Sequence, residues 1–305
     1  MRAIRAILAR NLIKFFRDKM RFFFTLFMSG FLLFTFSFVM KSAVAGVAHP
    51  MNYLVSGIII MTVFQTALNN SMSILEDIST GFMKEILVAP IARWQIAVGQ
   101  VLSSAVIAVL QGIIVLVVGV FMGLDLDPVH FVMMVCLMLL VGVTFSSLGL
   151  FLAALSKEST TFQIMISVVT MPLTFLSGAY IPTTVLPTIL RPIVFLNPLT
   201  YATSMFRYTA LHMESMTTPE LVKAGVAFDI HGFVMQPRDG VLIILAIGAT
   251  FFGLCVNQFR KADFSRVTVF KRGHTGSPDS LPPPLAGLGK SAQVRTVRRM
   301  PLPLQ

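Results

Sequence analysis

The chain has 305 residues, of which 55% are hydrophobic and only 12% are charged, and its formal net charge is +11. A soluble domain carries about 25% charged residues, so this composition excludes an ordinary water-soluble globular protein. Both cysteines, Cys136 and Cys255, fall within uncharged stretches, where a thiol packs as a small hydrophobe, and we expect no disulfide.

Residues 1–21 are predicted to form an amphipathic helix at the cytoplasmic surface. Apolar residues recur at helical spacing on one face, and basic residues recur on another. The apolar series is Ile4, Leu8, Leu12 and Phe15, and the basic series is Arg10, Lys14, Arg17 and Arg21. Such a helix lies in the membrane interface and leads into the first span. An ordinary basic flank is the alternative.

Six stretches without Asp, Glu, Lys or Arg define the predicted membrane spans. They cover residues 22–40, 54–75, 96–124, 129–156, 159–190 and 240–259. About 20 apolar residues suffice to cross the hydrocarbon core, and backbone groups in lipid must be paired within the segment. The sequence therefore predicts an all-α polytopic membrane protein, with six transmembrane helices in a domain of residues 22–262.

Basic residues are unevenly distributed between the two sides of this six-span arrangement. Nineteen Lys and Arg residues fall in segments that share a side with both termini. The five on the other side are Lys41, Arg191, Arg207, Lys223 and Arg238. Because cytoplasmic loops carry the excess of Lys and Arg, we expect a multi-pass protein of the cytoplasmic (inner) membrane with both termini in the cytoplasm. The same distribution argues against nucleic-acid binding.

Residues 76–95, EDISTGFMKEILVAPIARWQ, form a charged cytoplasmic segment between the second and third predicted spans. A cap at Ser79 or Thr80 is expected to precede a short helix over residues 82–88 that ends before Pro90. Phe82 and Glu85 then share one face and present an aromatic knob beside a carboxylate to a soluble partner. An ordinary loop is the alternative, but a plain connection does not need a segment of this length.

Residues 182–239 are predicted to form re-entrant and external segments before the last span. The stretch SGAYIPTTVLPTILRPIVFLNPLTY has prolines at 182, 187, 192 and 198, and proline interrupts helices. A broken apolar stretch of this kind indicates short helices that re-enter the outer leaflet while buried in protein. Residues 208–239 are more polar and are expected to form an external loop. The tail, residues 263–305, is predicted to be a disordered, basic cytoplasmic segment.

The sequence indicates no catalytic or metal site. Residues 289–291, GKS, are similar to the end of a phosphate-binding loop, but Pro284 stands where that loop requires its first glycine. His130 is alone at a predicted helix start, and no His, Cys, Asp and Glu set has metal-ligand spacing. We therefore expect that this chain is not an enzyme and does not itself hydrolyse ATP.

Polar residues within the predicted spans are expected to bridge helices, with a place along a substrate path as the alternative. They are Gln65, Asn69, Asn70, Gln100, Gln111, Gln163 and Thr170.

Three motifs together resemble the signature of ABC-2 type permeases, the membrane halves of ATP-binding-cassette exporters, and most closely the daunorubicin-resistance-like subgroup. They are GFMKEILVAPIARWQIAVGQVL (residues 81–102), SGAYIP (177–182) and LNPLTYATSMFR (196–207). The resemblance covers residues 10–262 and implies six spans, an amphipathic N-terminal helix and re-entrant helices. It also implies a dimer with a second permease copy or close homologue, and separate ATPase subunits that bind the ATP and Mg²⁺, so that this chain holds no cofactor.

The resemblance further implies roles for particular residues. In the family, the segment between spans two and three contacts the ATPase. The ATPase-coupling candidates are Glu76, Gly81, Phe82, Glu85, Pro90 and Arg93. The candidates that shape an external gate are Pro182, Pro187, Asn197, Pro198 and Arg207.

These observations predict the permease subunit of an ABC exporter that moves an amphipathic drug-like molecule or a lipid out of the cell, as in multidrug efflux. A polysaccharide or lipid-linked glycan is an alternative substrate. An ATPase-independent secondary transporter is the alternative class; such proteins place ionisable residues inside their spans, and the six uncharged stretches have none of the four charged types.

Overall fold

The computed structural model describes residues 2–43, 50–83, 91–156, 158–180, 183–230 and 233–261. Within these ranges the chain forms eleven α-helices: α1 (Arg2–Arg17), α2 (Lys19–Ala43), α3 (Pro50–Asn69), α4 (Met72–Ser79), α5 (Arg93–Phe121), α6 (Pro128–Leu155), α7 (Ser159–Phe175), α8 (Arg191–Leu196), α9 (Pro198–Ala210), α10 (Thr218–Lys223) and α11 (Pro237–Lys261). The described strands, β1 (Phe228–Ile230) and β2 (Phe233–Met235), form one antiparallel hairpin of three residues each. The all-α prediction is confirmed. The predicted tail, residues 263–305, lies outside the described residues.

Four helical segments in the described ranges are long and apolar enough to cross a membrane: Met51–Ser79, Arg93–Phe121, Pro128–Leu155 and Pro237–Arg260. Helices α1 and α2 are bent by 68° relative to each other and supply a fifth candidate if the pair forms one span. Helix α7 is apolar but has only 17 residues, because it ends well before the uncharged run does. The chain is a polytopic α-helical membrane protein, and the count of six spans stays a prediction.

Helix α3 lies at the centre of the bundle. Residues 53–61 are all buried, and α3 packs against α2, α5, α6 and α9. Helix α5 approaches it through two glycines: a Cβ on Gly112 would lie 2.6 Å from a methyl of Val63, and one on Gly119 would lie 2.5 Å from a methyl of Val55. Small residues at contacts of this kind let helix backbones come close, which strengthens the dispersion contacts that hold helices together in lipid.

The outer helices expose apolar side chains that a soluble fold would bury. On α2, Phe23, Phe27 and Phe31 are all more than half exposed, and their rings stack in sequence along the helix. Helix α7 likewise exposes Ile164 and Val168. A continuous apolar surface of this size is what a lipid environment or another membrane chain requires.

Helix α7 gives way to a series of short elements. Ser177–Tyr180 form a non-helical turn in which Gly178 has a φ of 76°, and two 3-10 turns, Thr183–Val185 and Thr188–Leu190, precede α8. Pro198 starts α9 at a position where the missing backbone N–H has no helical partner to lose. The short helices are present as predicted, and their re-entry into the membrane stays a prediction.

The predicted external loop, residues 208–239, contains regular structure in its described residues, and its external position stays a prediction. This segment holds the end of α9, a 3-10 turn, α10 and the β hairpin, and Met213, Leu221, Val226 and Ala227 bury one another beneath it. The Thr217 backbone N–H and hydroxyl donate to the Glu220 carboxylate at 2.7 and 2.9 Å. These bonds cap α10 and lower the pKa of Glu220 below its usual value. A small apolar core of its own therefore orders the segment.

Gly57 tests the packing at the centre of the bundle. A Cβ at this position would collide with the backbone carbonyl of Ala179, which cannot swing aside as a flexible side chain can. We expect Gly57→Ala to lower the thermal unfolding midpoint of the detergent-solubilised protein, with an overpacking cost of about 1–3 kcal/mol.

The matched control is Gly30→Ala in α2, where a Cβ would meet open space. Since alanine favours the helix, this variant is expected to unfold at the wild-type temperature or slightly above it. Equal midpoints for the two variants would contradict the close approach of α3 to Ala179.

Candidate functional site

The predicted second span is interrupted at Asn70–Ser71, where α3 ends and α4 begins. Helix α4 then ends at Ser79, and the hydroxyls of Ser79 and Thr80 both donate to the Glu76 carbonyl at 2.9 Å. Gly81 follows with a φ of 82°, a left-handed conformation that closes helices. The two hydroxyls therefore complete α4, and the helix expected over residues 82–88 lies mostly outside the described residues.

Asp77 of α4 is a buried carboxylate that holds the N-terminal helix. It forms ion pairs with Arg10 and with Lys14, whose Nζ lies 3.5 Å away. The Arg10 guanidinium also lies 4.5 Å from the centre of the Phe82 ring, in cation–π contact. One arginine of α1 thus contacts both α4 and the segment that follows it.

A second polar contact joins α1 to α5. The Asn11 amide donates to Gln100 Oε1 at 3.0 Å and to Ser103 Oγ at 2.7 Å, and all three groups are buried. Gln100 in turn donates to Ser73 of α4. Helices α1, α4 and α5 therefore form one hydrogen-bonded unit. We refer to Arg10, Asn11, Lys14, Ser73, Asp77, Phe82, Gln100 and Ser103 as the α1 cluster.

The structure places four of the six coupling candidates around this cluster. Glu76 is exposed beside Asp77, Gly81 forms the turn after α4, and Phe82 is half-buried under Arg10. Arg93 is exposed at the first residue of α5. Glu85 and Pro90 lie outside the described residues. The coupling role of all six stays a prediction.

The sequence reasoning missed Asp77, Asn11 and the ion pairs of Arg10 and Lys14, two residues that it assigned to a basic face of α1. A usable signal was present. Arg10 and Lys14 are one helical turn apart, and Asp77 is one of only two carboxylates between residues 54 and 84. Two cations at that spacing can share one carboxylate on a neighbouring helix.

Arg207 of α9 is fully buried and is held by backbone carbonyls. Its Nη2 donates to Gly178 O at 3.1 Å and to Ala179 O at 3.3 Å, and its guanidinium lies 3.4 Å from the centre of the Tyr53 ring. Within the described ranges no carboxylate forms an ion pair with it. Arg207 was counted among external basic residues in the topology argument, whereas the structure places it inside the bundle.

Asn197 ties the end of α7 to the start of α9. Its Oδ1 accepts from the Leu199 N–H at 2.9 Å, and its Nδ2 donates to the Leu173 carbonyl at 2.9 Å. Thr200 adds a hydroxyl bond to the Leu176 carbonyl at 3.2 Å. The carbonyls at the end of α7 that would have continued the helix are thus satisfied by α9.

Three of the five gate candidates, Asn197, Pro198 and Arg207, come together around the Ser177–Tyr180 turn. Pro187 is exposed between the two 3-10 turns, away from that contact network. Pro182 lies outside the described residues. A gating role for the five stays a prediction.

Two of the polar residues of the spans bridge helices, as predicted. Gln111 accepts from Thr66 and donates to Thr25 at 3.0 Å, so it bridges α5, α3 and α2, and Gln100 bridges α5, α1 and α4. Gln65 and Asn69 line a cavity between α2 and α3 that Gln111 lines as well, and a place along a substrate path stays a prediction.

Comparison with known proteins identifies the family. The family model for ABC-2 type transporters matches residues 2–211. The transport permease ycf38 of Cyanophora paradoxa is 27% identical over 199 residues, which make up 64% of this chain and 66% of the relative. In Escherichia coli (strain K12), the inner membrane transport permease YadH is 29% identical over 159 residues, covering 52% of this chain and 62% of the relative. The probable multidrug ABC transporter permease YbhR is 24% identical over 159 residues, covering 52% and 43%.

These matches span less than two thirds of each relative's own length. The fold and the exposed apolar helices define an integral membrane protein whose relatives are named as transport permeases. Because the family model covers more than half of the chain, the chain belongs to the ABC-2 type transporter family. The family resemblance seen in the sequence motifs is confirmed.

The ion pairs of Asp77 yield a first prediction at this site. Asp77→Asn keeps the size of the side chain but removes the negative charge that pairs with Arg10 and Lys14. We expect the free energy that holds α1 against α4 to fall by about 1–3 kcal/mol, since both cations are partly exposed and water can solvate them. We expect α1 to detach more readily. An Ile7→Cys reporter under α1, in a background without Cys136 and Cys255, should then react faster with a thiol reagent.

The control is Glu76→Gln, which removes the neighbouring exposed carboxylate and should leave the reporter's reaction rate unchanged. Identical rates in the Asp77 and Glu76 variants would show that the ion pairs do not hold α1.

The Arg207 contacts yield a second prediction. A lysine ammonium cannot both stack on Tyr53 and reach two carbonyls, so Arg207→Lys should reduce the free energy of unfolding by about 2 kcal/mol or more. The measurement is the unfolding midpoint in detergent, compared with Arg191→Lys, an exposed arginine in the same part of the chain. If Arg207→Lys is as stable as Arg191→Lys, the carbonyl contacts are not what keeps Arg207 in place.

Proposed function

We propose that the chain is the membrane-spanning subunit of an ABC exporter, which moves an amphipathic drug-like or lipid substrate out across the cytoplasmic membrane. ATP and Mg²⁺ are bound, and ATP is hydrolysed, by a separate ATPase subunit, so this chain is not itself an enzyme and holds no cofactor. The single observation that carries the proposal is the α1 cluster, in which Arg10 contacts both Asp77 and Phe82.

The α1 cluster gives residues 76–95 a mechanical connection to the spans. An ATPase that grips this segment pulls on α4 directly, on α1 through Arg10 and Asp77, and on α5 through Asn11 and Gln100. Glu76 and Arg93, exposed at the edges of the segment, are available for contact with the ATPase. A force applied at one short segment therefore moves three helices together.

The same contacts support the proposed topology. The pairing of Arg10 with Asp77 supports a position of α1 and α4 on the same side of the membrane. His130 contacts Glu214, which puts the start of α6 and the segment after α9 on a common side as well. Because basic residues are in excess around the N-terminus, we propose that the side that holds α1 and α4 is the cytoplasm.

A cavity between α2, α3 and α5 supports an uncharged amphipathic substrate. Its volume is about 270 Å³, and no charged residue is among its described lining residues. The polar part of the lining is Thr25, Ser29, Thr62, Gln65, Thr66, Asn69 and Gln111, and the apolar part includes Phe24, Met28 and Leu32. Mixed linings of this kind bind molecules that combine apolar surface with a few hydrogen-bonding groups.

The exposed phenylalanines of α2 support a dimer. Phe23, Phe27 and Phe31 leave a rigid apolar face without a partner in the described part of the chain, next to the opening of the cavity at Phe24 and Met28. We propose that a second permease copy or a close homologue covers part of this face and that membrane lipid covers the rest.

Phe82→Ala tests the coupling role. Truncating an aromatic anchor at an interface typically costs 2 kcal/mol or more, so we expect binding of the ATPase to weaken about thirtyfold or more, with transport lost and the fold retained. Co-purification with a candidate ATPase subunit, and substrate-stimulated ATP turnover, are the measurements.

Phe64→Ala is the control, because Phe64 is buried within α3 and packs edge-to-face on Phe145. That variant should lower stability and yield while the ATPase still binds to the folded fraction. Normal ATPase binding and transport by Phe82→Ala would remove the coupling role of this residue. Transport by the chain without any ATPase would instead favour a secondary transporter.

A further inference from the structure

Two histidines and a glutamate meet at the side of the bundle opposite the α1 cluster. His130 lies in the first turn of α6, and His212 and Glu214 lie just after α9. One nitrogen or oxygen of each of the three side chains lies within 4.8 Å of the other two, and His130 Nε2 is 3.1 Å from Glu214 Oε1. The expectation that His130 stands alone is therefore wrong, because two residues more than 80 positions later complete the group.

The three side chains match the ligand chemistry of zinc. Two imidazoles and one carboxylate are a common zinc set, and bonds of about 2.0–2.1 Å to a tetrahedral ion separate neighbouring ligand atoms by about 3.3 Å. The His130–Glu214 separation is already close to that value, and a rotation of the partly exposed His212 and Glu214 side chains brings in the third ligand. A fourth position is left for water.

Oxygen atoms behind the rings are placed to orient them. Asp127 Oδ2 lies 3.5 Å from His130 Nδ1 without a hydrogen bond to it, within reach of a small side-chain rotation, and the Asp125 carbonyl lies 3.4 Å from His212 Nε2. Metal-bound histidines almost always have such an oxygen on the ring nitrogen that does not bind the metal, where it fixes the tautomer and ring orientation. For His130 this leaves Nε2 facing Glu214, and for His212 it leaves Nδ1 as the free nitrogen.

The backbone at His212 supports a ligand role independently. Its φ of 49° and ψ of 48° are left-handed. Among the described residues, His212 is the only one other than glycine with a positive φ. This conformation brings its ring to 3.8 Å from that of His130. Backbone strain of this kind concentrates at ligand sites, where the surrounding structure holds it.

We propose that His130, His212 and Glu214 bind a Zn²⁺ ion that clips the start of α6 to the connection between α9 and α10. The ion would join a membrane-spanning helix to the folded segment that precedes the last span. This site is separate from the α1 cluster, so it stands or falls independently of the proposed function.

The test is calorimetric titration of the full-length protein in detergent with Zn²⁺ alone, after purification through a tag without histidines. The wild type should bind one Zn²⁺ ion per chain. His130→Ala, His212→Ala and Glu214→Gln should each weaken binding at least tenfold. Asp127→Asn, which alters only the orienting oxygen, should weaken it about tenfold to hundredfold. His274→Ala, a histidine of the tail, is the matched control and should bind like the wild type.

A second measurement needs no variant. Zn²⁺ should raise the unfolding midpoint of the wild type relative to a sample with chelator, whereas Mg²⁺ at the same concentration should not, since Mg²⁺ prefers oxygen ligands. Absence of binding by the wild type would overturn the proposal, and so would equal binding by the wild type and the three ligand variants. A loss confined to His274→Ala would assign the metal to the tail and overturn it as well.

Discussion

The arrangement before the last span depends on one constraint, which is that a backbone carbonyl buried in protein cannot stay unpaired. Helix α7 stops at Phe175, and the turn that follows would leave several carbonyls without partners. Side-chain donors bind four of these carbonyls: Asn197 donates to Leu173, Thr200 donates to Leu176, and Arg207 donates to Gly178 and Ala179. Arginine suits this position because one planar cation can serve two carbonyls and stack on a ring at once. Its charge is balanced by carbonyl dipoles and the face of Tyr53.

The break between α3 and α4 is handled differently. It lies at the C-terminal end of α3. The side chains around it form ion pairs and amide hydrogen bonds that join α4 to α1 and α5. The break after α7 has little freedom to change, since Asn197, Thr200 and Arg207 all donate to its backbone carbonyls. A break held in part by ion pairs can loosen more readily, because Arg10 and Lys14 are partly exposed and water can replace their contacts with Asp77. The two interruptions thus differ in how readily they rearrange, and the more adaptable one lies in the segment where an ATPase is proposed to bind.

The fold could be predicted from the sequence where composition alone decides it. Long uncharged runs predicted an all-α membrane protein, and the prolines at 192 and 198 predicted short helices.

Contacts between distant residues could not be predicted, because nothing local marks their partners. Asp77 was adjacent to a candidate residue yet was not chosen, since its role depends on Arg10 and Lys14 in another helix. Arg207 was treated as an exposed cation because the carbonyls that hold it belong to a turn whose geometry no pattern reveals. The polar segment after α9 was predicted as an external loop, and its small core could not be predicted, because its four core residues are spread along the chain. His130 was interpreted as an isolated histidine because His212 and Glu214, which lie beside it, come more than 80 residues later in the chain.

The docking of α1 also has a consequence for how the chain is made. Its partners lie far along the sequence: Asp77 is 67 residues after Arg10, and Gln100 is 89 residues after Asn11. At a synthesis rate of about 5–20 residues per second, α1 emerges roughly 4–18 s before its last partner does. During this interval its amphipathic character can keep it at the membrane surface, where Asp77 and Gln100 later meet it. The first helix to be synthesised thus reaches its final place only after α5 has been made, and we expect newly made chains to pass through a stage in which Arg10 and Lys14 face the lipid headgroups.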